Sequence, residues 1–261
     1  MNTIFVNNIV NRLIDWYTGR YTIKAYHELM DTQWMSRQEI INYQDEKLKR
    51  LIRHAYDNIE YYRDLFDKNK LKPSDIKTVN DLKKLPVSSK SSFKEQPNYP
   101  NSMLAANLSL KHVKVGYTGG TTGNPLKLYD DVHNRSYIWA AHWRWFTWMG
   151  MEPNEKTVSL WGLHAQEGPY YKKLMQRAIE AASNTRRIDA YDLKEGDIEG
   201  IVRIINRYKP SHIHGFASSL SYFARELRKM NRHIVPLKAV STTVDVLKPD
   251  QRILLESVFG C

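Results

Sequence analysis

From residue 113 to the end, the chain alternates short runs rich in β-branched, aromatic or other apolar residues with longer stretches of helical periodicity, and few folds accommodate that rhythm. The short runs are residues 113–117, 157–161, 187–191, 212–215 and 237–241, each the length of a buried strand. Between them lie helical stretches at 133–149, 171–182, 197–208, 219–230 and 249–259, the first stopped by Gly150. A helix between two strands returns the chain to the same end of a sheet, so successive strands run parallel. The expected fold class is therefore α/β, a mainly parallel sheet of βαβ units covered by helices on both faces.

Upstream, residues 1–112 read as a mainly helical N-terminal region. Ser36-Arg37-Gln38-Glu39 is a capping-box signature, and Ile41, Leu48, Leu51, Ile52 and Ala55 follow at spacings that make one apolar stripe. Thr78-Val79-Asn80-Asp81 opens a shorter helix in the same style, and Pro73, Pro86, Pro97 and Pro100 divide the region into pieces. Two domains are expected, 1–112 and 113–261. At 42% hydrophobic residues in 261, each can bury a core.

Lysine and arginine outnumber aspartate and glutamate 39 to 28, a formal charge of +11. That balance suits nucleic acid, an anionic surface or a phosphorylated ligand without choosing among them. The cations fall in doublets such as Lys83-Lys84, Lys172-Lys173 and Arg186-Arg187 and form no basic stripe, so a solvated face is the reading and nucleic acid is not an expected partner. Trp139, Trp143, Trp145, Phe146 and Trp148 stand on several faces of one helical stretch, which reads as a buried helix lining a pocket. The single cysteine, Cys261, allows no internal disulfide, and no apolar run reaches the ~18 residues of a membrane span. The expected compartment is the cytoplasm. Phe5, Val6, Ile9, Val10, Leu13, Ile14, Trp16 and Tyr17 recur at helical spacing. A helix docked on its own domain is the preferred explanation, and contact with a membrane surface is the other.

The segment 117–127, YTGGTTGNPLK, follows the first expected strand. Gly119, Gly120 and Gly123 let backbone N–H groups approach an anion, Thr118, Thr121 and Thr122 add hydroxyl donors, and Lys127 adds a point charge. Together they suit a polyphosphate. A glycine-rich hairpin between two strands also explains the glycines, though not the threonines and the closing lysine. Neither a Walker loop nor a dinucleotide fingerprint fits the glycine spacing.

With its threonines, Gly123, Pro125 and Lys127 in order, the segment resembles the phosphate loop of the adenylate-forming enzymes, with Gly119 where that family commonly has serine. The runs at 47–66 (KLKRLIRHAYDNIEYYRDLF), 81–95, 187–193 (RIDAYDL), 208–220 (YKPSHIHGFASSL) and 242–261 extend the resemblance toward phenylacetate-CoA ligases and CapK-like proteins of capsular-polysaccharide gene clusters. It spans residue 34 to the end. The resemblance implies ATP-dependent activation of a small carboxylic acid as an acyl-adenylate, followed by acyl transfer to a thiol, amine or hydroxyl. It implies that Thr118, Gly119, Gly120, Thr121, Thr122, Gly123 and Lys127 hold ATP phosphates. Thr243, Val244 and Asp245 would flank adenine, where the family commonly has Ser-Glu. Trp161, His164, His214, Gly215, Phe216 and Ala217 would line the acid pocket. It also implies Mg2+, but the aromatic-Gly-x-x-Glu motif whose glutamate holds that ion, the ribose aspartate and the C-terminal catalytic lysine all follow the point where this sequence ends. The α/β portion is therefore expected to be incomplete at its C-terminus, no catalytic residue is assigned, and a missing or separate C-terminal chain is an expected partner. A non-catalytic remnant or subunit that binds nucleotide or a partner chain is the alternative.

His212 and His214 share one strand face, yet two imidazoles without a third ligand do not make a metal site, and none is expected. Ser218-Ser219 lacks a nucleophile elbow and suits a helix N-cap.

Overall fold

A computed structural model describes residues 6–108, 113–118, 125–161, 170–190 and 193–261. Two compact units emerge, Thr18–Ile138 in one and Trp139–Cys261 with the segment up to Tyr17 in the other. The change from helical to mixed character near residue 113 lies inside the first unit and is a change of secondary structure rather than of compact body. The helix α1 (Asn11–Thr18) precedes the first unit, which contains α2 (Thr22–Thr32), α3 (Arg37–Asn58), α4 (Glu60–Lys68), α5 (Lys90–Lys94), β1 (Lys114–Tyr117) and β2 (Lys127–Asp130).

The capping box forms as the sequence dictates. Ser36 Oγ accepts from the Glu39 N–H at 3.3 Å, and the Glu39 carboxylate accepts from the Ser36 N–H at 2.7 Å, so α3 begins at Arg37. Of the expected stripe, Ile52 and Ala55 are buried while Ile41 and Leu51 face solvent. The core needs only the part of α3 that Phe66, Leu71, Ile76 and Leu85 cover. Asp81 accepts from the Thr78 N–H at 2.9 Å and opens Val79–Lys84, which winds as a 3-10 helix.

β1 and β2 pair antiparallel with Tyr117 opposite Lys127. This corrects the expectation that the first strand joins the parallel sheet: the connection from Tyr117 to Lys127 is shorter than the dozen or so residues that a crossover requires. Within the same unit Glu28 of α2 accepts from Lys47 Nζ at 2.5 Å and from the hydroxyls of Tyr43 and Tyr137. The Lys47 ammonium also lies 4.9 Å and 5.0 Å from those two ring centroids.

α6 (Val132–Trp148) runs from the first unit into the second, which continues as β3 (Thr157–Trp161), α7 (Tyr170–Ala182), β4 (Thr185–Asp189), α8 (Ile198–Tyr208), β5 (His212–Phe216), α9 (Ala217–Lys229), β6 (Ala239–Thr243) and α10 (Pro249–Phe259). The four strands lie in the order β4-β3-β5-β6, every pair parallel. β4 begins two residues before, and β6 two residues after, the positions expected from sequence. Short apolar runs do not locate their own ends; the neighbouring ladder does.

Alternation along the strands sorts their side chains. Val158, Leu160 and Ile213 enter a core with Ile198, Ile201 and Ile205 of α8, Leu220, Phe223 and Leu227 of α9, and Leu255 and Phe259 of α10. Ser159, His212, His214 and Ser241 occupy the alternate positions, where Trp145 and Phe146 of α6 meet the two imidazoles. The aromatic helix is therefore not buried all round. Trp143 is buried, but Trp139 and Trp148 are 43% and 63% exposed, because a single sheet face can cover only part of a helix.

Candidate functional site

The chain leaves β3 for β4 on one side of the sheet and leaves β5 for β6 on the other, so adjacent β3 and β5 form the topological switch point. Ligands in open parallel sheets bind beyond the strand C-termini at such a point, where diverging connections leave a crevice. Those termini are Trp161 and Phe216. Their rings are 4.7 Å apart, and Trp161 also stacks on His214 at 5.4 Å and 24°. Of the expected acid-pocket residues, the structure thus brings Trp161, His214 and Phe216 together. Gly215 sits between them on the opposite face, and Ala217 is fully buried at the start of α9. Expected pocket residue His164 lies outside the described residues.

Gly215 is required by proximity. A Cβ built on it would stand 2.6 Å from the Leu160 carbonyl oxygen and 3.2 Å from Leu160 Cβ and Leu220 Cγ. The absence of a side chain here lets β3 and β5 approach while α9 packs beneath them.

Ser241, which the sequence reading did not single out, organises the histidines. Its Oγ lies 2.7 Å from His212 Nε2 and 2.9 Å from His214 Nδ1. Burial, and next the neighbouring His214, push His212 down to about 3; burial, and next His142, lower His214. Both rings are neutral at pH 7, so each has one N–H and one lone pair. Thr157 spends its O–H on the Glu155 carbonyl at 3.1 Å and can only accept from His212 Nδ1 at 3.4 Å. Ser241 O–H then donates to His212 Nε2, and His214 Nδ1–H donates to Ser241 Oγ. This order leaves His214 Nε2 as a hydrogen-bond acceptor on the ring that stacks against Trp161. Ser241 was missed because its role depends on the β5–β6 register, which puts it opposite His214. Among the described residues no three His, Cys, Asp or Glu side chains gather as metal ligands would.

The segment expected at adenine follows β6. Val244 has φ +74, and the Asp245 N–H donates to the Thr243 carbonyl at 3.0 Å, closing a tight turn around a β-branched residue. Such a conformation costs on the order of 1–3 kcal/mol and concentrates at functional positions. Asp245 accepts from the Ser218 N–H at 2.7 Å, at the positive end of α9. Partial burial works to raise its carboxyl, but hydrogen bonds from Ser218 and the first backbone N–H groups of α9 outweigh it and hold the group below the usual carboxylate range. Ser218 and Ser219 stand inside the first turn, and the capping acceptor comes instead from Asp245, far along the chain.

In the other unit, the loop between β1 and β2 is pinched at its mouth. Thr118 N–H donates to the Leu126 carbonyl at 3.0 Å, and Leu126 N–H donates to Thr118 Oγ1 at 2.9 Å. Lys127 is anchored by its N–H to Tyr99 Oη at 2.9 Å, with Nζ 5.3 Å from the Tyr129 ring centroid. Among the described residues no carboxylate pairs with the Lys127 ammonium. Gly119, Gly120, Thr121, Thr122 and Gly123 lie outside the described residues. β1 and β2 thus form the hairpin of the alternative reading, with Thr118 at its mouth and, among the described residues, no carboxylate on Lys127.

No protein-family model matches the chain. It is 39% identical over 90 residues to a phenylacetate-coenzyme A ligase of Aromatoleum evansii, covering 34% of this chain and 20% of that protein. It is 22% identical over 244 residues to Protein CapK of Staphylococcus aureus, covering 93% of this chain and 52% of that protein. Among solved structures, a 2-hydroxyisobutyryl-CoA ligase in complex with 2-HIB-AMP and CoA superposes with a TM-score of 0.63 at 20% identity, covering 87% of this chain and 48% of the other. The chain thus spans about half the length, or less, of these relatives. Over the span covered, its parallel sheet and flanking helices have the fold of that CoA ligase, and its sequence is similar to phenylacetate-CoA ligases and to CapK.

Proposed function

We propose that this protein activates a small carboxylic acid with ATP and passes the acyl group to a thiol such as that of CoA, or to an amine or hydroxyl. In the first step a carboxylate oxygen bonds to the α-phosphorus, the bond to the β-phosphate breaks, and pyrophosphate leaves with the electron pair; in the second the acceptor bonds to the acyl carbon, its bond to the phosphate oxygen breaks, and AMP leaves. The similarity to phenylacetate-CoA ligases carries the reading. The site supports it in two places. The ring cluster of Trp161, His214 and Phe216 suits an apolar acyl group beside one hydrogen-bond acceptor. Lys127, with Thr118 and the loop it closes, suits the triphosphate. Thr243, Val244 and Asp245 would flank the adenine. Among the described residues no group of carboxylates is placed to hold Mg2+. By the resemblance to CapK-like proteins we place the reaction in polysaccharide or other cell-surface biosynthesis and in the cytoplasm; the similarity to Protein CapK over 93% of the chain supports the resemblance itself.

Titration with ATP tests the loop. Losing a charge-assisted contact to phosphate should weaken binding by about tenfold or more in Lys127→Ala, whereas undiminished affinity would refute the assignment. Exchange of pyrophosphate into ATP, dependent on an aromatic or short aliphatic acid, tests the chemistry. Exchange with no acid dependence would exclude acid activation.

A further inference from the structure

Two helices of the second unit turn the wrong side to solvent. On α1 and the turn before it, polar Asn11 and Asp15 are the buried residues, while Ile9, Leu13, Trp16 and Tyr17 are exposed, Trp16 to 81%. This overturns the expectation that the apolar stripe of this helix docks on its own domain. On α7, Tyr171, Leu174 and Met175 are exposed at the spacing of one helical face. The Tyr17 hydroxyl reaches Met175 Sδ at 3.4 Å, so the two outward faces adjoin. Polar contacts hold the inner side: Asn7 Oδ1 accepts from Asn154 Nδ2 at 2.8 Å and from Asn11 Nδ2 at 3.3 Å. A helix that buries amides and displays tryptophan is stable only if the display meets an apolar phase elsewhere.

The charges on these helices indicate which phase. Arg12 on α1 and Arg177 on α7 are exposed. The acids are turned inward: Asp15 is 9% exposed, and Glu180 is paired with Arg187 at 3.3 Å. A cationic margin around Trp, Tyr and Leu matches an anionic bilayer surface, where aromatic rings settle at headgroup depth and cations meet phosphate. No described helix is long and apolar enough to cross a membrane, so the contact would lie in the interface plane. We infer that the joined face of α1 and α7 docks this protein on anionic membrane.

Co-sedimentation of the full chain tests the inference, with vesicles of phosphatidylglycerol mixed equally with phosphatidylcholine and with vesicles of phosphatidylcholine alone. The wild type should bind the anionic vesicles and lose binding as salt rises. The double substitution Leu13→Glu with Leu174→Glu should weaken binding by about tenfold or more, and Arg12→Glu with Arg177→Glu by about fivefold per residue. Circular dichroism and urea unfolding confirm that each variant folds. If the leucine variant does not fold, Trp16→Ala carries the same expectation at a position too exposed to affect the core. Wild type that stays in the supernatant, or variants that sediment equally with it, would overturn the inference. So would a lipid-independent dimer abolished by the leucine substitutions, which would assign the face to a second copy of the chain.

Discussion

Replacing Gly215 with alanine adds one methyl group where β3 and β5 are closest. The new Cβ would lie 2.6 Å from the Leu160 carbonyl oxygen, 0.4 Å inside the 3.0 Å limit that real Cβ contacts respect. Leu160 is the ladder partner of Gly215, so its oxygen is backbone and cannot rotate away. Movement in the other direction is opposed by Leu220 Cγ at 3.2 Å. Overpacking of this kind costs about 1–3 kcal/mol, or roughly 3–10 °C in Tm for a chain of this size. Gly200, near the start of α8, provides the internal control: nothing lies within 4 Å of a Cβ there, and a helical Gly→Ala change gains about 0.5–1 kcal/mol. Urea unfolding of both variants should therefore give shifts of opposite sign. A Gly215→Ala protein within about 0.5 kcal/mol of wild type would show that the strands are not held at this spacing, a difference that urea extrapolation resolves. The same variant should impair any ligand that sits on Trp161 and Phe216, because separating β3 from β5 opens the crevice between those rings.

Three other outcomes are expected. Ser241→Ala leaves His212 Nε2 and His214 Nδ1 buried without their shared partner, at a cost of about 1–3 kcal/mol; unfolding equal to wild type would mean that Ser241 does not bridge them. His212 has its folded value lowered from 6.5 to about 3, so the unfolded chain takes up a proton that the native chain refuses. Its contribution is complete above pH 6.5 and lost as pH falls toward 3, which makes the protein about 2 kcal/mol less stable at pH 5 than at pH 7 from this residue alone; a His212→Gln protein retaining that full decrement would refute the origin. Burial works to raise Glu28, but bonds from Lys47, Tyr137 and Tyr43 prevail and take it from 4.5 down to about 2. That contribution is present above pH 4.5 and lost between 4.5 and 2, so Glu28→Gln should flatten this lower limb of the acid-unfolding profile, and an unchanged limb would remove Glu28 from the account.

Local chemistry was legible where it is self-contained. Ser36 and Glu39 satisfy each other across three residues, so the start of α3 could be read directly. The spacing of apolar residues located most helices of the α/β portion within two residues, and β3 at its exact bounds. Strand partners were not legible, because pairing depends on how far the intervening chain can reach. The first expected strand turned back as the hairpin that the glycines of 117–127 had allowed as an alternative, while the four later ones formed the parallel sheet. Ser241 was overlooked for the same reason: nothing in AVSTT reveals that the third residue will stand opposite His214.

Which face of a helix turns inward was the least legible property. The periodicity of residues 9–17 and the aromatics of α6 both suggested burial, yet Trp16, Tyr17, Trp139 and Trp148 are exposed. Periodicity measures only whether a helix has an apolar side. The sequence alone determined the α/β class, the helix starts, the glycine-threonine loop with its closing lysine, and the resemblance to acid-activating ligases. Tertiary structure decided the strand order that made β3 and β5 the switch point, the bridge from Ser241 to two neutral histidines, and the outward face of α1 and α7. Propensity and capping act over a few residues of one segment, whereas register and burial depend on which distant segments arrive to share a ladder or cover a face.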